Sequence, residues 1–294
     1  MSVDGALVVD KPAGMTSHDL VAAARRLLRE TRIGHAGTLD PFATGVLVLV
    51  CGRATRLARF LSASDKSYDA TVRFGLTTDT YDSTGVETSR SADRPDRAAI
   101  ESALPSLRGE YLQTPPPYSA RKVAGVRAYT LARRQEAVTL APTAVRVTQA
   151  DLIALSGDTA EFAIVSSAGF YVRSFAHDLG AQLGCGACLS ALRRTRSGEF
   201  TLTDAVTLDT VAARGAALVR PVDGLLTWMP AATLTTRGVE RVRHGQAVGP
   251  ADLAGPVPAG ADQGEWVRLL SPDRRLVALA QPAPGALHPS VVLN

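Results

Sequence analysis

Several things are scarce in this chain of 294 residues, and each scarcity closes a door. Aromatic residues make up 5% of it, so aliphatic side chains must supply most of the packing. No apolar run is long enough to span a bilayer; even VLVLVC at 46–51 is only strand-sized. Three cysteines, Cys51, Cys185 and Cys188, cannot build a disulfide framework. The pair in CGAC invites a metal or redox reading, but structural zinc needs four ligands and no second CxxC or HxxxH completes a set. Ordinary core thiols and no metal are expected. Nor is there a GxxxxGK[ST] phosphate loop, a GxSxG elbow or an HExxH helix. None of the five histidines is followed by x-Glu, as a zinc deaminase acting on flipped bases would require. An enzyme built from this chain has to work with carboxylate, hydroxyl and guanidinium groups.

What is present sets the frame. With 46% hydrophobic residues the chain can bury one large core and a smaller one. The N-terminal stretch MSVDGALVVDKP carries an acidic residue where a signal peptide needs a basic one, so a cytoplasmic protein is expected. Net charge is +4, and only Lys11, Lys66 and Lys122 are lysines. Arginines therefore carry the positive charge, clustered at 25–32, 53–59, 121–134, 193–196 and 237–243. Guanidinium groups fork onto phosphates and stack on bases, which suits a folded RNA partner. Solvated arginine-rich faces would give the same pattern, and charge alone does not separate the two.

Periodicity predicts a strand at ALVVD (6–10), a helix begun by Thr16 and Ser17 with Leu20, Ala24, Leu27 and Leu28 inward, and a loop holding Gly34, Gly37, Pro41 and Gly45. The strand VLVLVC follows, then a short helix over 55–61. SYDATVRF at 67–74 alternates, with Tyr68, Ala70, Val72 and Phe74 on one face. Residues 76–94 read as a loop, 95–107 and 128–134 as helices, and 143–167 as two strands joined near 156–158. Residues 171–183 fit an amphipathic helix, and a further helix is expected near 208–213. Strands and helices mix without a regular βαβ repeat. The fold class is therefore α+β, a mixed and mainly antiparallel sheet flanked by helices. Residues 1–226 are expected to form the large domain and 227–294 a second, β-rich unit of small-barrel strands such as EWVRLL and RRLVALA.

One carboxylate stands out. Asp40 sits in a glycine-bearing loop just before Pro41, which restricts its backbone, and the loop feeds an apolar strand. That is how a nucleophile or general base would be presented. Taken alone, these features favour the plainer reading, an ordinary turn aspartate before proline.

Larger patterns change the balance. DKPAGMTSHD at 10–19, GHAGTLDPFATGVL at 34–47, KSYDATVRFGLTTDTYDSTG at 66–85, TPPPYSARKVAGVRAY at 114–129 and SSAGFYVRSFAHDLGAQLGCGACLSALRRTRSGEF at 166–200 stand in order. Together they resemble the signatures of the TruB family, the bacterial tRNA pseudouridine-55 synthases, over about residues 5–225. Residues after about 227 resemble the family's small PUA-like RNA-binding domain far more weakly. The resemblance implies a pseudouridine synthase fold and Asp40 as the catalytic aspartate. It makes Tyr68 the tyrosine that packs on the flipped uracil, and Arg173 the arginine paired with the aspartate, accompanied by Tyr171. Leu192 becomes an apolar lining residue, His35 a wedge in the RNA loop, and 114–135 an RNA-contacting loop. The plainer readings are a core aromatic for Tyr68, a satisfied loop residue for His35 and a surface helix charge for Arg173. Phe170 departs from the threonine many members carry, which leaves Arg173 in register. The implied partner is the tRNA T stem-loop, met by a monomer with no cofactor, no protein partner and no membrane.

Overall fold

The computed structural model describes residues 3–119, 121–123, 125–134, 139–258 and 265–293. The chain opens with strand β1 (Gly5–Lys11), helix α1 (Ser17–Leu28), short strand β2 (Ile33–His35), β3 (Thr44–Cys51), helix α2 (Ala58–Ser62) and β4 (Lys66–Phe74). A hairpin of β5 (Leu76–Thr78) and β6 (Glu87–Arg90) precedes α3 (Arg97–Ala103), β7 (Gly109–Gln113), a small hairpin β8 (Lys122–Val123) and β9 (Val126–Arg127), and α4 (Ala128–Arg133). Long strands β10 (Thr143–Ser156) and β11 (Thr159–Ser166) lead to α5 (Val172–Gln182), β12 (Ala187–Ser197), β13 (Phe200–Thr201), α6 (Leu208–Arg214) and β14 (Arg220–Pro221). The last stretch holds β15 (Ala231–Thr233), α7 (Thr236–Arg243), β16 (Val267–Leu270), β17 (Leu276–Ala283) and β18 (Ala286–Val292).

One ten-stranded sheet organises the molecule. Its order is β14-β1-β3-β12-β4-β11-β10-β7, with β2 added to β3 and β13 to β12. Its pairs are antiparallel except β3 with β12, where Thr44 lies opposite Arg193 and Gly45 opposite Arg194. The expected mixed, mainly antiparallel sheet is what forms. The two periodicities in the sequence have different outcomes. Strand β4 alternates as expected, with Tyr68, Ala70, Val72 and Phe74 buried. Strand β3 is buried from Gly45 to Cys51 because both its faces are covered. On one face Leu47, Leu49 and Cys51 join a core with α1 and α5; on the other Val46, Val48 and Val50 meet Leu225, Leu226, Leu270, Leu276, Leu279 and Leu293. The C-terminal sheet, β15-β16-β17-β18, thus packs on the reverse face of the main one.

Helix α1 begins as its sequence suggests. The Thr16 hydroxyl accepts from the Asp19 amide (3.0 Å) and the Asp19 carboxylate accepts from the Thr16 amide (2.9 Å), a capping box that contributes about 1 kcal/mol. Leu27 departs from its expected inward position and is exposed. Residues 76–94 are not all loop, because β5 and β6 pair there. The Thr77 hydroxyl is within 2.8 Å of Thr88 and 2.7 Å of Ser89, so polar groups on short strands hold a hairpin that hydrophobic patterning cannot reveal. Residues 33–35 likewise join β3 as an edge strand. Among the later residues α7 was not expected; Thr235 caps it and Val239 and Val242 face the small core. Residues 120, 124 and 135 of the expected RNA-contacting loop lie outside the described residues.

Candidate active site

Asp40 lies on the connection between β2 and β3, at the parallel seam with β12. That connection is held almost atom by atom. The carbonyls of Gly37 and Thr38 accept from the Arg194 guanidinium (3.0 and 3.3 Å), and that of Leu39 from the Ser17 hydroxyl (3.0 Å). Asp40 O accepts from Ala43 N (3.1 Å), Pro41 O from Lys11 Nζ (3.1 Å) and Gly14 N (2.9 Å), and Ala43 O from Lys11 Nζ (2.7 Å). Leu39 N returns a bond to Ser17 Oγ (2.9 Å). Gly37 turns the chain at φ +103°, and Gly45 re-enters the sheet at φ +100° where a Cβ would stand 2.2 Å from Arg194 O. No other residue fits there. A backbone with this many fixed carbonyls presents its one outward carboxylate in a single place.

The side chain is fixed from α5. Arg173 Nε donates to Asp40 Oδ2 (2.9 Å) and Nη2 to Asp40 Oδ1 (3.0 Å), a two-bond fork across 133 residues of sequence. The guanidinium is 6% exposed and the carboxylate 31%, so the pair is sheltered on the arginine side and open on the other. The remaining donors are used as well: Nη1 to Thr80 O (3.0 Å), Nη2 also to Tyr118 O (3.0 Å). Asp82 Oδ2, itself buried, lies 3.7 Å from Nη1. Arg173 thus stands between two carboxylates, one half-buried and one sealed, and is not the surface charge that a plain helix reading suggests.

Tyr68 and Leu192 share a face. Tyr68 lies opposite Arg194 across the β4–β12 pairing, and Leu192 sits two residues before Arg194 on β12. Both are buried, at 9% and 7% exposure. Burial pushes the pKa of the Tyr68 phenol up; the neighbouring Arg194 opposes that shift and the Asp40 charge adds to it. Asp40, Arg173, Tyr68 and Leu192 therefore come to one place. Tyr171 stands just before α5; its amide donates to Gln113 Oε1 (2.8 Å) while Gln113 Nε2 donates to its carbonyl (3.1 Å). That anchors the first turn of α5. His35 ends β2, with its ring edge-on to His18 at 5.7 Å and a buried Nδ1 that has no partner. Burial lowers its pKa, with His18 and Arg194 acting in the same direction.

Four residues that support the site were not singled out in advance. Asp82 is hidden in a polar stretch. Tyr118 follows three prolines. Arg194 sits in an arginine cluster that looked like a surface patch, and Lys11 in DKPAG gives no sign that it is fully buried. Burial pulls the Lys11 ammonium down to about 8, with Asp40 opposing the shift. No cluster of metal-ligating side chains occurs among the described residues. Cys51, Cys185 and Cys188 are free and buried, and burial pushes Cys51 up to about 12.

Comparison with known proteins then assigns the family. The model described as TruB family pseudouridylate synthase (N terminal domain) matches residues 25–172, and the tRNA pseudouridylate synthase B C-terminal domain matches 173–227. The chain belongs to the TruB family. A relative from Solibacter usitatus, called tRNA pseudouridine synthase B, is 43% identical over 298 residues, spanning 99% of this chain and 100% of its own. One of the same name from Thermobifida fusca is 43% identical over 98% of both chains. Among solved structures, a chain in the crystal structure of a Cbf5-Nop10-Gar1 complex superposes with a TM-score of 0.77 at 26% identity, over 99% of this chain and 85% of that one. Family membership fits the fold and the signatures, while residues 228–294 lie beyond both family models.

Proposed function

We propose that this TruB-family protein isomerises uridine to pseudouridine in tRNA, at position 55 of the T loop, and that Asp40 is the carboxylate on which the reaction turns. The reaction breaks the C1′–N1 bond, turns the detached uracil and joins C1′ to C5; the C5 proton is lost to solvent and N1 takes one up, so the product is an isomer of the substrate. Nothing is oxidised and no group is imported. The chain must supply an ionised carboxylate in a fixed position and a pocket that keeps the free base. The observation that carries the reading is the fork from Arg173 to Asp40 on a loop whose carbonyls are nearly all bonded. Held in this way, Asp40 serves attack at the sugar, attack at the base, or elimination to a glycal.

The nucleotide must first leave its stack, at a cost of a few kcal/mol. Stacking on the Tyr68 ring offsets roughly 1–3 kcal/mol of that. Its place on β4 opposite Arg194 fixes the ring, and Leu192 lines the same face. His35 fills the space left in the RNA, and Tyr171 keeps α5 in register with Gln113. We further assign residues 1–226 to catalysis and 227–294 to a small PUA-like unit that binds RNA, helped by the arginines of α7. One chain carries the whole set of groups, so a cytoplasmic monomer suffices. The membrane has no part in this reading: among the described residues no helix is long and apolar enough to cross one.

The test is to incubate the protein with unmodified tRNA transcript and map pseudouridine. Asp40→Asn should abolish product while tRNA still binds, since the carboxylate is chemical and the arginines hold the RNA. Product formation by that variant would remove Asp40 from the chemistry, and product elsewhere than the T loop would redirect the substrate.

A further inference from the structure

We propose that Tyr118 is a positioning residue that joins the RNA-contacting segment to the Arg173–Asp40 pair. The inference rests on the reading above, in which Asp40 does the chemistry and residues 114–135 meet RNA.

Tyr118 closes the cradle around the Arg173 guanidinium from two directions. Its carbonyl accepts from Nη2, the nitrogen that also binds Asp40 Oδ1. Its hydroxyl donates to Asp79 Oδ2 (3.1 Å), at the turn of the β5–β6 hairpin. That hairpin supplies the other side of the cradle, Thr80 O and the Asp82 carboxylate. Loop and hairpin are thus stitched together by one phenol, and Arg173 lies between them.

The segment leading to Tyr118 is built to transmit rather than absorb. Thr114 O is held by the Ser174 hydroxyl (2.8 Å), one residue after Arg173 on α5. Pro115, Pro116 and Pro117 follow, and three consecutive prolines fix three φ angles and keep the chain extended. On the far side, Ser119 O accepts from Tyr129 N (3.1 Å) and Arg121 O from Ala128 N (2.7 Å). The β8–β9 hairpin is therefore rooted at the residue next to Tyr118. A force on that hairpin from seated RNA reaches Tyr118 over one peptide bond, and Arg173 over one hydrogen bond more. Seating of RNA and alignment of the carboxylate become one event.

The test is Tyr118→Phe, which keeps the ring and the carbonyl and removes the hydroxyl. Single-turnover tritium release from C5-labelled tRNA at saturating enzyme, tRNA affinity and the unfolding midpoint are measured together. We expect the rate to fall about 10- to 150-fold, the worth of one hydrogen bond to a carboxylate, with affinity and midpoint unchanged. Asp79→Ala should cost less in the Tyr118→Phe background than in wild type, because both remove the same bond. An unchanged rate, a loss confined to affinity, a loss that tracks a fall in the midpoint, or additive effects of the two variants would each overturn the proposal. Wild-type protein on the same tRNA separates the two levels. If it forms no pseudouridine, the functional reading fails; if it is active and Tyr118→Phe matches it, only this inference fails.

Discussion

Arg173→Lys is the sharpest probe of the site, because it keeps the charge and removes only the fork. Arg173 makes four hydrogen bonds of 2.9–3.0 Å, two of them to Asp40 and one each to Thr80 O and Tyr118 O. A lysine ammonium is one donor centre on a shorter reach and cannot span both carboxylate oxygens while meeting the carbonyls behind it. It regains one charge-assisted bond of the two. The net loss is then one such bond, about 1.5–3 kcal/mol, which converts to a roughly 10- to 150-fold slower step. The loss should appear in the single-turnover rate of tritium release and not in tRNA affinity, since Arg173 is 6% exposed and out of reach of phosphates. Arg173→Ala is less informative. It leaves the buried Asp82 charge without a counter-charge, and breaking a buried pair in this way costs about 3–5 kcal/mol of stability. A lysine variant within about threefold of wild type would refute the claim that geometry, and not charge alone, makes this arginine necessary.

Two other outcomes follow from the packing. Asp178 on α5 meets no hydrogen-bond donor among the described residues, and burial pushes its carboxyl up to about 6 from 3.8. A carboxyl raised in the fold destabilises the native state above that pKa, and the penalty fades as pH falls towards the unfolded value. Asp178→Asn should therefore stabilise by about 1–2 kcal/mol at pH 7.5 in urea unfolding, and by less than half of that at pH 4.5; an equal gain at both pH values would contradict it. Deleting residues 227–294 should do more than weaken RNA binding, because it uncovers Val46, Val48, Leu225 and Leu226 on the reverse face of the sheet. Each apolar side chain left bare costs about 1.5–3 kcal/mol, so a midpoint lower by more than about 10 °C or an aggregating product is expected, and a truncated protein as stable as the full chain would show that the two units are independent.

How far the sequence could be read depended on the distance between partners. Periods of two and 3.6 are local, so β4, β10, β11 and α1 were legible almost to the residue. The β5–β6 hairpin was not, because its strands are short, polar and held by hydroxyl contacts. The site itself was legible only through the family signatures. Local features made Asp40 an ordinary turn residue, and what fixes it lies 133 residues further on. Helical periodicity gave an amphipathic helix but could not place Arg173, since the first turns of α5 bury five residues in succession from Val172 to Ala176 and the arginine goes in with its apolar neighbours. Asp82 gave no signal at all. It is one acidic residue among several in a polar stretch, and only its burial distinguishes it.

The arginine clusters show where reasoning from charge goes astray. Residues 193–196 looked like a patch for phosphates. Yet Arg194 is fully buried on carbonyls, Arg193 forks onto Asp10 at 2.8 and 3.1 Å, and Arg196 donates to Ser67 Oγ and Gly198 O. Two of the three lysines have gone the same way. Lys11 binds three carbonyls around the Asp40 connection, and Lys66 is buried on those of Ser62 and Ser64, each pulled down to about 8 by burial. Burying a cation without a carboxylate partner is costly, and it is tolerated only where several acceptors meet it. Here the acceptors are backbone carbonyls, which cannot be lost by mutation and do not titrate. The consequence for catalysis is specific. The loop is held by cations that make no bond to the Asp40 carboxylate, so that carboxylate keeps Arg173 as its one ion-pair partner among the described residues, with its other side open to substrate.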